Sequence, residues 1–219
     1  MRKFAAEAFG TFALVFAGTG AIVIDRVSGG AVSHVGIAAT FGLIVLAMIY
    51  AVGEVSGAHL NPAVTLGFFL ARRVPARAVV AYAAAQLLGA FAASGLLRFL
   101  FGPVAQLGAT LPAGPAAQSF VLEVVLTAML MFVILCVATG SKEQGLTAGI
   151  AIGATVALEA MFAGPICGAS MNPARSLAPA VLSGHLTALW VYLAGPVLGA
   201  TLAVPCWALL RPEAERLRA

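Results

Sequence analysis

Gly57-Ala58-His59-Leu60-Asn61-Pro62-Ala63 and Gly168-Ala169-Ser170-Met171-Asn172-Pro173-Ala174 are two copies of one phrase in a chain of 219 residues. Each opens an apolar stretch, about 61–71 and about 172–182, that is half the length of a membrane crossing. A crossing takes roughly 20 apolar residues, and shorter apolar runs are more often re-entrant or buried helices. Asn caps a helix and Pro suits its first turn, so each phrase predicts the start of a half-length helix. Further landmarks recur in the same order. Glu7-x3-Thr11 lies upstream of the first copy and Glu123-x3-Thr127 upstream of the second, with Glu-to-Asn separations of 54 and 49. Gly89-Ala90 follows Asn61 by 28 residues, and Gly199-Ala200 follows Asn172 by 27. Chance supplies one Asn-Pro-Ala in an alanine-rich chain; two inside a matched unit are an internal repeat.

Six apolar runs of crossing length surround these phrases: about 4–24, 34–54, 78–100, 119–139, 145–163 and 187–210. Charged residues, glycines and prolines separate them, as at Asp25-Arg26, Arg72-Arg73 and Gly164-Pro165. Three crossings per copy is an odd number, so the second copy enters the membrane from the opposite face. The predicted fold class is an all-α membrane protein with six transmembrane helices, two re-entrant half-helices and an inverted 3+3 repeat. Residues 1–219 form one domain, with 1–101 the first half and 119–210 the second. Between them, 102–118 is an extracellular loop without an ionisable residue, and 211–219 is a cytoplasmic tail.

Composition agrees. Hydrophobic residues make up 62% of the chain and charged residues 9%, with a mean hydropathy of +1.04. A soluble domain carries about 25% charged residues, so an enzyme or binding module working in water is excluded. Cys136, Cys167 and Cys206 have no metal-site spacing, and His34, His59 and His185 are scattered. No cofactor, metal or nucleic-acid partner is expected. Met1-Arg2-Lys3 before an apolar run superficially resembles a secretory signal, but Glu7 within that run and its repeat partner argue for a first span. Nine of the twelve basic residues fall on one side if the N-terminus is inside; Arg26 and Arg98 fall outside and Arg175 lies in a re-entrant segment. The positive-inside rule then places both termini in the cytoplasm and the protein in the cell's inner (plasma) membrane.

Ser56-Gly57-x-His59-x-Asn61-Pro62-Ala63-Val64-Thr65 and Asn172-Pro173-Ala174-Arg175-Ser176 resemble the aquaporin, or major intrinsic protein, family. The resemblance covers almost the whole chain. Ala163-Gly164-Pro165-Ile166-Cys167-Gly168-Ala169-Ser170-Met171 is similar to the plant nodulin-type branch and its bacterial relatives. It implies half-helices meeting end to end, one pore per subunit in lipid, and a homotetramer passing water and small neutral solutes.

Irregular backbone at membrane depth is tolerated where it lines a cavity or is buried in protein. Gly57, Ala58, His59, Gly168, Ala169 and Ser170 are therefore expected to present carbonyls to the lumen; the resemblance implies that the His59 side chain is a packed support. Asn61 and Asn172, each followed by Pro62-Ala63 or Pro173-Ala174, are expected to meet at the pore centre. Arg175 resembles the arginine of the family's selectivity filter. Placed by spacing, Phe41, Ala160 and Ala169 complete that ring. Ala160 stands where strict water channels usually carry His, which predicts a wider, more apolar filter open to glycerol, urea, ammonia or neutral metalloid hydroxides. Ser176 and Ala180 point toward the water-channel type, so a strict water channel is the alternative. A secondary transporter built on inverted repeats is the rival from another class.

Intramembrane carboxylates are functional suspects by default. Glu7 and Glu123, paired by the repeat, are read as buttresses accepting hydrogen bonds from the re-entrant loops. Glu54 is either a gate at the cytoplasmic mouth or a hydrated bystander. Glu159, beside Ala160, points into the bundle or toward the extracellular vestibule. Cys167 is five residues before Asn172; mercury-blocked relatives carry Cys three before, where this chain has Ala169.

Overall fold

The computed structural model describes residues 1–139 and 142–210, so the tail predicted at 211–219 lies outside the described residues. Its helices are α1 (Arg2–Val27), α2 (Ser33–Ser56), α3 (Pro62–Leu70), α4 (Ala76–Phe101), α5 (Ala116–Thr139), α6 (Lys142–Cys167), α7 (Pro173–Ser183) and α8 (Leu189–Leu210). Six of them, all but α3 and α7, are long and apolar enough to cross a membrane. The chain thus has the six long apolar helices and two half-length helices that the sequence predicts for a multi-pass membrane protein. Large apolar side chains such as Leu43, Val80, Leu88 and Phe99 face outward, as a lipid solvent allows.

Packing repeats as the sequence does. Helix α1 packs on α4 as α5 packs on α8; α1 meets α2 as α5 meets α6; α3 lies on α8 as α7 lies on α4. Glycines set the closest approaches. A Cβ on Gly89 would sit 2.1 Å from the Ala8 carbonyl oxygen, and one on Gly199 2.4 Å from that of Val124. Ala8 and Val124 each follow the repeat glutamate by one residue. Across the two-fold itself, a Cβ on Gly42 would meet Gly153 O at 2.4 Å and one on Gly153 would meet Gly42 O at 2.6 Å. At such a contact only hydrogen fits, so helix backbones touch.

Several boundaries differ from expectation: α1 runs through Asp25-Arg26 to Val27, and α6 begins at Lys142 rather than 145. Helix α5 begins at Ala116 rather than 119, directly after Pro115, whose carbonyl accepts from Gln118 N. Helix α6 runs through Gly164-Pro165 to Cys167 instead of breaking there. Proline cannot donate to the carbonyl four residues back, here that of Met161. That oxygen accepts instead from His34 Nε2 at 2.7 Å. The predicted loop 102–118 also holds a compact turn, Val104–Gly108, with Ala105, Gln106 and Leu107 all left-handed (φ 48°, 47° and 58°).

Candidate functional site: a cavity where two half-helices meet

Asn61 and Asn172 cap α3 and α7 with extended backbones. Asn61 Oδ1 accepts from Ala63 N (2.8 Å), and Asn172 Oδ1 from Ala174 N (3.0 Å) and Arg175 N (3.3 Å). The amide groups then cross over: Asn61 Nδ2 donates to Met171 O (2.7 Å) and Asn172 Nδ2 to Leu60 O (2.9 Å). Each loop thus secures the other half's capping residue. An amide nitrogen carries two hydrogens, leaving each Asn one to offer the cavity that both line.

The loops ahead of the caps are left-handed at matching places. Gly57, Ala58 and Leu60 have φ of 93°, 47° and 53°; Gly168, Ala169 and Met171 have 81°, 41° and 53°. For a non-glycine residue this costs about 1–2 kcal/mol, and buried carboxylates offset it. Glu7 Oε1 accepts from His59 N (2.9 Å) and Ser56 Oγ (2.7 Å), while Oε2 accepts from Leu60 N (2.7 Å) and Gln86 Nε2 (2.8 Å). Glu123 accepts from Ser170 N and Met171 N, both at 2.8 Å. Both glutamates are fully buried. His59 stacks on Phe68 with ring centroids 4.5 Å apart and its Nδ1 lies 3.1 Å from Thr65 Oγ1, so its side chain packs as it lines the cavity.

The cavity wall is built from repeat-related pairs on matching helices. Phe41, Val45 and Ile49 of α2 face Ile152, Val156 and Ala160 of α6, and Leu14 of α1 pairs with Leu130 of α5. Val64 and Arg175 each stand three residues past their Asn and both line it. The backbone is nearly two-fold and the side chains are not. One end has Ile49 and Val64; the other has Ala160 and Arg175. A second cavity, a vestibule lined by His34, Thr110 and Gly164 among others, shares Phe41, Ala160 and Arg175 with the first. These three form the neck between them. Ala169 lines the first cavity and Gly168 the vestibule.

Arg175 is buried, its Cζ 5.0 Å from the Phe41 ring centroid, and its guanidinium donates to Gly108 O at 2.7 Å. The turn at 104–108 therefore fixes the Arg175 guanidinium at the neck, a contact that no spacing in the sequence announces. Thr110 from the same loop hydrogen-bonds Ser176 Oγ (2.7 Å), which also bonds Ser170 Oγ. A faint signal existed: Thr65 and Ser176 both place a hydroxyl four residues after their Asn. The other glutamates part company with the site. Glu54 is exposed in the last turn of α2 and lines neither cavity. Glu159 is fully buried and also lines neither cavity. Neither of its oxygens has a hydrogen-bond partner among the described residues. Cys167 is buried against its own helix, 3.5 Å from Ala163 O.

Residues 1–207 match the family model described as major intrinsic protein. The chain is 54% identical to rice Aquaporin NIP1-1 (Oryza sativa subsp. japonica) over 177 residues, which is 80% of this chain and 62% of that protein. It is 48% identical to Nodulin-26 of Glycine max over 177 residues, 80% of this chain and 65% of the relative. It spans about three fifths of the length of the curated relatives it matches. The solved aquaglyceroporin of Plasmodium falciparum superposes with a TM-score of 0.84 at 27% identity, covering 94% of each chain.

Proposed function

The chain belongs to the major intrinsic protein family, and on that premise we propose that it is a passive channel for water and small uncharged solutes. The reciprocal pairing of Asn61 and Asn172 at the ends of two half-helices carries this reading. A helix N-terminus carries roughly half a positive charge, and two such ends face one lumen. A water between the two amides accepts a hydrogen bond from each, which occupies both of its lone pairs. It cannot then take a proton from the next water in file, while the paired positive ends repel cations.

Selection falls at the neck. Arg175 offers donors to a solute oxygen and repels cations, Phe41 presents an apolar face, and Ala160 and Ala169 leave room opposite. An alanine methyl at position 160 occupies far less of the ring than an imidazole would, which favours polyols, urea, ammonia and neutral metalloid hydroxides alongside water. Carbonyls of the left-handed loops act as acceptors along the path. Glu7 and Glu123 hold those loops open, and the two halves, 1–101 and 119–210, form one channel unit. The family further supports a homotetramer, each subunit with its own pore. The basic-residue count supports both termini in the cytoplasm of a plasma membrane.

The test is stopped-flow light scattering on proteoliposomes, comparing water, glycerol and urea flux for the wild type and Ala160→His. The channel expected here passes glycerol in the wild type, and the His variant loses glycerol while keeping water. Flux of water alone in the wild type would mean that Phe41 governs the neck and the protein is a strict water channel. No flux above empty liposomes would refute the channel.

A further inference from the structure

We propose that His34 is a positioning residue of the filter, a latch that ties the outer end of α2 to the proline-freed carbonyl of α6. The inference rests on the channel reading above. Pro165 leaves Met161 O without its intrahelical donor, and a helix interrupted this way is a natural place to bend. His34, in the first turn of α2, fills that vacancy from another helix at 2.7 Å. A carbonyl only accepts, so Nε2 carries the hydrogen, as it does in the cation and in one neutral tautomer. Gly164 makes room for the ring: a Cβ there would lie 3.0 Å from His34 Cε1.

The latch matters because of what it brackets. Helices α2 and α6 run antiparallel and touch backbone to backbone at Gly42 and Gly153. His34 and Met161 form a second pin nearer the vestibule. Phe41 and Ala160 lie between these two pins, one on each helix, and both line the neck. With the outer pin released, Met161 O takes its hydrogen bond from vestibule water. The segment of α6 around Pro165 can then swing from α2, and the Phe41–Ala160 gap widens. His34 contacts no solute in this account; it sets the width that the filter residues present.

The experiment measures glycerol and water permeability in proteoliposomes for His34→Ala, His34→Asn, His34→Gln and Pro165→Ala, and for His34→Ala combined with Pro165→Ala. A Gln amide nitrogen reaches roughly where Nε2 stands, whereas Asn stops near Nδ1. The Ala and Asn variants should raise the glycerol-to-water ratio roughly threefold, the scale of one hydrogen bond, with Gln close to wild type. Pro165→Ala restores the intrahelical donor, so His34→Ala in that background should leave the ratio unchanged, a coupling read by the double-mutant cycle. An unchanged ratio in His34→Ala with water flux intact would overturn the latch and leave the channel standing. So would an equal effect with and without Pro165, or loss of water and glycerol flux together. A wild type that conducts neither would defeat the channel reading and the latch with it.

Discussion

Replacing Glu7 or Glu123 by Leu removes the same kind of support from the two loops, but the structure predicts unequal damage. Glu7 accepts four hydrogen bonds, two from loop backbone and two from the Ser56 and Gln86 side chains. Glu123 accepts from two backbone N–H groups, those of Ser170 and Met171. A buried donor left without a partner costs about 1–3 kcal/mol. The two backbone donors cannot turn away, so either substitution should cost about 2–6 kcal/mol, a large part of a total stability of roughly 5–15 kcal/mol. Ser56 can rotate, but Gln86 is fixed between Glu7 and Thr65, at 2.8 and 3.1 Å. Glu7→Leu should therefore cost about 1–3 kcal/mol more than Glu123→Leu. Glu7→Gln, which keeps one acceptor oxygen, should fall between wild type and Glu7→Leu. Denaturant titration of the detergent-solubilised protein, followed by intrinsic fluorescence, reads this order directly, with osmotic water flux alongside. A Glu123→Leu protein less stable than Glu7→Leu, or either variant within about 1 kcal/mol of wild type, would refute the idea that these carboxylates carry the strained loops.

Three further outcomes follow from the geometry. Gly89→Ala and Gly199→Ala drive a methyl into backbone oxygens at 2.1 and 2.4 Å and should lower the melting temperature sharply. Gly95→Ala, whose added methyl would meet no other described atom within 4 Å beyond its own stretch of helix, should be neutral or slightly stabilising in the same thermal scan. Arg175→Val gives the neck the residue type that Val64 places at the other end of the cavity. Solute flux should rise and a proton leak should appear with a pH dye trapped in liposomes; tight vesicles would contradict the assigned role. Mercuric chloride should leave wild-type water flux unchanged, because Cys167 is fully buried and Cys136 and Cys206 lie off the cavity wall. Ala169→Cys places a thiol on that wall and should make the flux mercury-sensitive.

The parts and their count are legible in the residue order alone. Hydropathic length marks a membrane crossing, and Asn-Pro marks a helix start, because both signals are local. The matched order of Glu7, Asn61 and Gly89 with Glu123, Asn172 and Gly199 then dictated inversion, since an odd number of crossings reverses the second copy. Spacing from Asn61 and Asn172 also reached Phe41 and Ala160, because the rise along a helix is constant. Tertiary structure decided what depends on helix rotation and on contacts between distant segments. Gly42 and Gly153 both stand 19 residues before their Asn, yet nothing local says that these two glycines face each other. Whether Glu159 turns into the bundle, and whether Glu54 reaches the lumen, depends on how α6 and α2 are rotated about their axes. The oxygen that holds Arg175 comes from Gly108, in a loop whose sequence lacks any charged residue, because a backbone carbonyl is present at every residue and leaves no mark in the composition. The same holds for the carbonyl of Met161: Pro165 announces that it is free, and only the packing of α2 on α6 shows that His34 takes it.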